Sequence, residues 1–187
     1  MSNEEMIYQL LDELEIDYER LDHEPITSVI EAAEKGIVLP GQQVKNLFLK
    51  TKKGRKFYLI VLKDEKIADI KQLAEKLGEK RLSFANDEDL MRLLQVVPGS
   101  VTPFGLLFDR EKKVQLIVDE DVDPGLTVGF HPFVNTTTLN IAYSDFLRFL
   151  EKVDHEALRL DCLWMNLDKF LEICYSNIRK KEETSRP

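Results

Sequence analysis

Two apolar runs, Gln43 to Lys50 and Arg55 to Leu62, flank the polar segment Lys52-Lys53-Gly54. Runs of this length rich in Val, Leu, Ile, Phe and Tyr read as strands, and a short polar connection containing glycine folds them back on each other as a hairpin. A lone hairpin is marginal in water, so the rest of the chain must cover it.

That cover alternates between short helices and strands. Met6, Leu10, Leu11 and Leu14 recur at helical spacing, and Tyr18 to Leu21 reads as a strand. Thr27 or Ser28 can cap a helix through Val29, Ala32 and Ala33 that stops at Gly36. Further helices are expected over Asp69 to Leu77, ended by Gly78, and over Asp87 to Leu94, capped by Asn86 or Asp87. Gly105 to Asp109 and Val114 to Asp119 read as a second hairpin across Arg110 to Lys113, Gly129 to Phe133 and Thr137 to Ala142 as strands, and Ser144 as the start of a helix through Leu150. Hairpins without regular βαβ repeats imply an α/β domain with a mixed, largely antiparallel sheet flanked by helices. This domain is expected over residues 1–153. Leu158 to Ile178 is apolar at helical spacing and predicts a C-terminal helical extension over 154–178, followed by a polar, disordered tail over 179–187.

With 187 residues the chain can bury a full core without disulfides or metal. Cys162 and Cys174 fit no disulfide scaffold or zinc site and read as helix-core thiols of a reducing compartment. The apolar runs are about a third of a membrane span, so a cytoplasmic protein is expected, with neither membrane nor DNA as a partner. A net charge of -8 opposes non-specific coating of nucleic acid. Between Lys45 and Lys56, however, stand six basic residues and no acidic one, Lys45, Lys50, Lys52, Lys53, Arg55 and Lys56. This island is either a solvated turn or an edge that contacts phosphate, and the sequence leaves both open.

The common catalytic signatures fail. Gly36 and Gly41 have phosphate-loop spacing, but Gln42 and Gln43 stand where that loop needs Lys and Ser or Thr. Asp119, Asp121 and Asp123 alternate like a calcium loop, yet Phe130 stands where the closing Glu belongs. His155-Glu156 begins a zinc-helix motif and then places Arg159 at the second histidine position. With no nucleophile elbow and three histidines, no Ser/His/Asp triad can be argued, so neither metal nor cofactor is expected.

Two loops stand apart. Val97 to Gly105 holds two prolines and two glycines, which fix backbone direction and permit close approach of a ligand. Gly129 to Thr138 places His131, Asn135 and three threonines among apolar residues.

On these residues the sequence resembles the YbaK-type aminoacyl-tRNA deacylases. Within them it is most similar to the freestanding prolyl-tRNA editing proteins, which resemble the insertion domain of bacterial prolyl-tRNA synthetase. The resemblance runs through His23-Glu24-Pro25-Ile26-Thr27, Lys45-Asn46-Leu47-Phe48-Leu49, Gly99 with Pro103-Phe104-Gly105, and Gly129-Phe130-His131-Pro132 with Asn135-Thr136, and it covers residues 1–153.

It implies hydrolysis, in trans and without a metal, of the ester of a mischarged tRNA. Such an ester is already activated, so a placed water and donors at the developing oxyanion suffice. The family pattern would make Lys45 a cationic anchor for the terminal phosphate or ribose, have Gly129 and His131 shape the carbonyl side, and leave the vicinal ribose hydroxyl as proton shuttle. Thr27, Asn46, Gly99, Pro103, Phe104, Gly105 and Asn135 would bind substrate. Lys50, Lys52, Lys53, Arg55 and Lys56 would meet tRNA, with Lys76, Lys80 and Arg81 as the alternative. Pro103-Phe104-Gly105 and the run from Gly129 to Thr137 resemble the alanine-directed branch, so mischarged tRNA(Pro) is the expected partner, with prolyl-tRNA synthetase a candidate second. Two alternatives stay open, a deacylase for Cys- or Ser-tRNA and a non-catalytic module that binds charged tRNA or a synthetase. Oligomeric state stays open too.

Overall fold

The computed structural model describes residues 1–26 and 29–162. Helix α1 (Asn3–Glu13) opens on a capping box in which Ser2 Oγ accepts from the Glu5 N–H at 3.1 Å and Glu5 Oε2 accepts from the Ser2 N–H at 2.6 Å. It buries Ile7, Leu10 and Leu11. The chain continues through β1 (Tyr18–Asp22), α2 (Val29–Glu34), β2 (Val44–Thr51), β3 (Phe57–Lys63), α3 (Ile70–Lys76) and β4 (Leu82–Phe84). Then follow α4 (Asp87–Leu94), β5 (Val114–Asp119), β6 (Thr127–Phe130), β7 (Thr137–Ala142), α5 (Tyr143–Lys152) and β8 (Ala157–Leu160). Asn86 is the cap of α4, its side chain accepting from the Asp89 N–H at 3.0 Å. Helix α5 starts at Tyr143 without a side-chain cap, one residue before the expected Ser144.

The strands form two sheets rather than one. β1, β7 and β6 make a three-stranded antiparallel sheet, and the order β4-β2-β3-β5-β8 makes a five-stranded mixed one. The expected hairpin of β2 and β3 forms, in the register Val44↔Lys63 to Lys50↔Phe57. Strand β3 is buried along Phe57 to Leu62 because both its faces are covered. Phe57, Leu59 and Val61 point into a large core shared with α1, α4 and α5, while Tyr58, Ile60 and Leu62 meet a smaller core under α3.

Three expectations are corrected. The second hairpin does not form, because Pro103–Phe108 is a 3-10 turn capped by Thr102, and β5 pairs parallel to β3 instead. Leu158 does not begin a helix. Ala157–Leu160 forms β8, parallel to β5 with Leu158 exposed, so the sheet continues past residue 153; residues 163–187, including Cys174 and the expected tail, lie outside the described residues. Cys162 follows that strand rather than sitting on a helix, and burial, then Asp119, push its thiol up to about 12. The Asp119 to Asp123 turn is closed from within, as Lys66 Nζ meets Asp119 at 2.7 Å and Asp121 at 2.6 Å.

The turn at Pro103 is a wedge. Phe104 is fully buried and meets Phe130 of β6 at 5.7 Å and Phe149 of α5 at 5.2 Å, both edge-on. Gly105 lies flat against α4, where a Cβ would stand 2.8 Å from Leu94 Cβ and 2.9 Å from its carbonyl oxygen. Gly105→Ala is therefore expected to cost about 1–3 kcal/mol by overpacking. The melting temperature should drop by roughly 2–4 °C per kcal/mol, whereas a wild-type melt would show that α4 yields freely.

Candidate active site

A cavity of about 210 Å³ opens where the start of β2 passes the ends of β6 and β7. Two glycines are part of its lining. Gly129 faces Thr138 so closely that a Cβ would stand 2.9 Å from the threonine methyl. Gly99 lines the opposite side at φ +84, the left-handed region that favours glycine. Ile26 and Leu39 supply apolar wall, and Gln43 holds the 39–41 loop by donating to the Leu39 and Gly41 carbonyls, each at 3.1 Å.

The polar groups enter from both sheets. Lys45 Nζ donates to the Asp64 carbonyl at 2.7 Å, which fixes the ammonium at the cavity and leaves two of its hydrogens for another acceptor. Asn46 Nδ2 donates to the Val101 carbonyl at 2.9 Å, tying β2 to the Gly99 loop. Its Oδ1 is buried with no hydrogen-bond partner among the described residues, which suits it to accept from a ligand. His131 Nδ1 lies 2.8 Å from the Thr137 carbonyl. A carbonyl only accepts, so Nδ1 carries the hydrogen and Nε2 keeps its lone pair. His23 is oriented alike, with Nδ1 donating to the Glu24 carbonyl at 2.8 Å and Nε2 at 2.9 Å from Thr138 Oγ1. The two imidazoles are 6.0 Å apart.

The structure thus gathers Lys45, Asn46, Gly99, Gly129 and His131 around one space. Other expected site residues lie elsewhere. Pro103, Phe104 and Gly105 are buried core, and act on the site only by supporting it. Asn135 sits in the turn between β6 and β7 and does not line the cavity. Thr27 lies outside the described residues. In the basic island, Lys50 is held by Asp89 at 2.5 Å and Lys56 by Glu79 at 2.7 Å, whereas Lys52, Lys53 and Arg55 are exposed at the turn. Sequence reasoning assigned no role to Thr138, Gln43, Leu39 or Asp64. Only His23, through its place in the first resembling motif, carried any signal for the second histidine.

A family model for the aminoacyl-tRNA editing domain matches residues 23–149, from His23 past every polar group of the cavity. The chain belongs to this family. Aminoacyl-tRNA editing domain proteins include the prolyl-tRNA editing protein ProX of Acetoanaerobium sticklandii, 37% identical over 154 residues, which cover 82% of this chain and 91% of the relative. The prolyl-tRNA synthetase associated domain-containing protein 1 of Danio rerio is 34% identical over 154 residues, 81% of this chain and 83% of that one. A crystal structure of a candidate trans-editing enzyme for prolyl tRNA synthetase matches with a TM-score of 0.61 at 17% identity, over 86% of this chain and 98% of that one, and shares the fold. As an editing-domain protein the chain is an aminoacyl-tRNA deacylase, a hydrolase of the ester that joins amino acid to tRNA. Among the described residues no helix is long and apolar enough to cross a membrane, and no group of three or more His, Cys, Asp or Glu side chains is placed to hold a metal ion.

Burial holds the His131 imidazole below its ordinary value of 6.5, against the pull of the Thr137 carbonyl, and burial followed by the charge of Lys112 does the same to His155. When the pH falls, the unfolded chain therefore takes up protons before the folded one. The stability contributed by the neutral buried forms is complete above pH 6.5 and is lost as the pH drops through that value toward the folded ones. Thermal melts between pH 8 and pH 5 should show a declining melting temperature on the acid side, and replacing both residues by Gln should flatten that decline. An unaltered slope in the double variant would assign the decline to other groups.

Proposed function

We propose that the protein is a freestanding trans-editing deacylase of the cytoplasm that removes alanine from mischarged tRNA(Pro), without a metal or a covalent protein nucleophile. The observation that carries this reading is the convergence of Lys45, Asn46, Gly99, Gly129 and His131 on a cavity of about 210 Å³.

The chemistry asked of these residues is modest. Lys45, fixed by the Asp64 carbonyl, presents its ammonium to the ribose or the terminal phosphate. Asn46 Oδ1 suits the α-ammonium of the amino acid, an N–H donor that would satisfy a buried acceptor. Gly129 and His131 border the ester carbonyl. Substrate preference follows from size: a prolyl synthetase pocket cannot strongly reject alanine, since missing methylenes are worth only about 1–3 kcal/mol, whereas a second, smaller site can exclude proline by overlap. ProX is named as a prolyl-tRNA editing protein, which supports tRNA(Pro) as the nucleic acid and makes prolyl-tRNA synthetase the candidate source of the mischarged substrate.

Deacylation of a panel of Ala-, Cys-, Ser- and Pro-tRNA(Pro), in buffer containing EDTA, tests this. Ala-tRNA(Pro) should be hydrolysed and Pro-tRNA(Pro) spared. Equal rates on the two would overturn the sieve, and loss with chelator followed by rescue with one metal would overturn the metal-free chemistry. Lys45→Ala should lower turnover on the scale of about 100-fold while leaving the melt intact, as for one lost electrostatic contact in the transition state; wild-type turnover would make Lys45 a packing residue.

Binding of the acceptor stem is placed at the hairpin turn, roughly 20 Å from Lys45 along β2 at about 3.4 Å per residue. Because Lys50 and Lys56 are paired within the fold, Lys52, Lys53 and Arg55 are the charges available to phosphate. Lys52→Glu with Lys53→Glu should weaken tRNA binding and lower the log-log salt slope by about 0.9 per lost contact, raising KM with little effect at saturating tRNA. Unchanged affinity and slope would move the stem to the Lys76, Lys80 and Arg81 surface, where Lys76 is held by Asp161 and Lys80 and Arg81 are exposed charges.

A further inference from the structure

We infer that Thr138 and His23 form a proton relay for the attacking water, with Thr138 the group that touches the water and His23 the base behind it. The inference rests on the deacylase reading above and adds to it a proton acceptor within the protein.

The geometry is a hydroxyl, a base and an orienting group in series. Thr138 is 5% exposed and lines the cavity. Its Oγ1 is 2.9 Å from His23 Nε2, and because His23 Nδ1 donates to the Glu24 carbonyl at 2.8 Å, Nε2 of the neutral ring can only accept. The Thr138 hydrogen therefore points at His23, and its oxygen lone pairs are left for a donor from the cavity. Both residues are held in register. Leu21 pairs with Thr138 and Asp22 with Thr137 across β1 and β7, the His23 N–H donates to the Thr136 carbonyl at 2.9 Å, and Gly129 packs against the Thr138 methyl. His131 is the imidazole that lines the cavity itself, but its Nδ1 is committed to the Thr137 carbonyl and burial disfavours its charged form. His23 is the imidazole within hydrogen-bond reach of the Thr138 hydroxyl, so the threonine's hydrogen passes to it.

In the step itself, the water gives a proton to Thr138 Oγ1 as Thr138 passes its own hydrogen to His23 Nε2, and the hydroxide forms a C–O bond to the ester carbonyl. Collapse breaks the bond to the ribose 3′-oxygen, which takes the proton of the neighbouring 2′-hydroxyl. The proton on His23 returns through Thr138 to that 2′-oxygen. The products are the free amino acid and the uncharged tRNA terminus, and His23 is neutral again.

The test uses the full chain with whichever tRNA of the panel turns over fastest, and measures kcat, KM and melting temperature. Thr138→Val keeps the shape and removes the hydroxyl, and should lower kcat at least about 100-fold, the lower end for loss of general acid–base catalysis, with KM nearly unchanged. Thr138→Ser should recover kcat to within about tenfold of wild type. His23→Gln offers an oxygen that accepts the Thr138 hydrogen bond but takes up no proton, so it should melt like wild type yet lose kcat as Thr138→Val does. The double variant should be no slower than either single one, as expected of groups acting as a unit. A His23→Gln enzyme with wild-type kcat, or losses that multiply in the double variant, overturns the relay while leaving the deacylase reading intact. If Thr138→Val does not fold, His23→Gln and Thr138→Ser decide the matter by the same comparison. A wild type that hydrolyses nothing in the panel overturns both.

Discussion

The edge of one phenyl ring holds the two sheets at their working distance. Phe104 meets Phe130 in the small sheet and Phe149 on α5, its neighbour Gly105 lies against Leu94 of α4, and all of these belong to the core that also takes Phe57, Leu59 and Val61 from the large sheet. Edge-to-face aromatic pairs add about 0.5–1.5 kcal/mol each to what their burial contributes. More important here is that they are directional. Phe130 lies between Gly129 and His131, so the wedge sets the depth at which those residues face Lys45 and Asn46.

The hydrogen bonds near the cavity work across that seam. Asn46 ties β2 to the Gly99 loop through the Val101 carbonyl. Gln42 pairs with Val128 as a single parallel bridge, and its side chain both donates to and accepts from the Asp123 backbone, at 2.8 and 2.9 Å. Lys45 is steadied from β3's far end by Asp64, two residues before Lys66, whose buried ion pair with Asp119 anchors that loop to β5. Breaking such a buried pair from one side is far more damaging than an exposed pair would suggest, because the remaining charge stays in a poorly solvated place.

Local chemistry made much of this legible. Asn86 followed by three acids marks α4 and its cap, and Lys52-Lys53-Gly54 marks the hairpin. Short apolar runs mislead: Gly105 to Asp109 reads as strand, but Pro103 and the Thr102 cap wind it into a 3-10 turn, and the apolar positions of β8 share the spacing of the helix expected there. The parallel pairing of β3 with β5 joins residues some 57 positions apart (Phe57↔Val114), and nothing local encodes it. The site divides in the same way. Lys45, Asn46, Gly99, Gly129 and His131 sit in unusual local sequence and are gathered by the fold, while Pro103, Phe104 and Gly105, equally unusual, are unusual because the core is crowded. Leu39, Gln43 and Thr138 have ordinary surroundings in sequence and matter only by position.

Gly129 leaves no room beside Thr138, and Gly41, at φ +70, would place a Cβ 2.4 Å from Asn140 Oδ1. These parts of the cavity and its surroundings are built from missing side chains, and a larger residue there must push aside Thr138, or Asn140 and Thr127. Buried Ile26 and half-buried Leu39 line the same cavity with aliphatic side chains, where exchange alters side-chain volume rather than backbone. Divergence within this scaffold is therefore channelled: a lineage can explore a new amino acid by exchanging aliphatic residues of the wall, while the glycines are inherited unchanged.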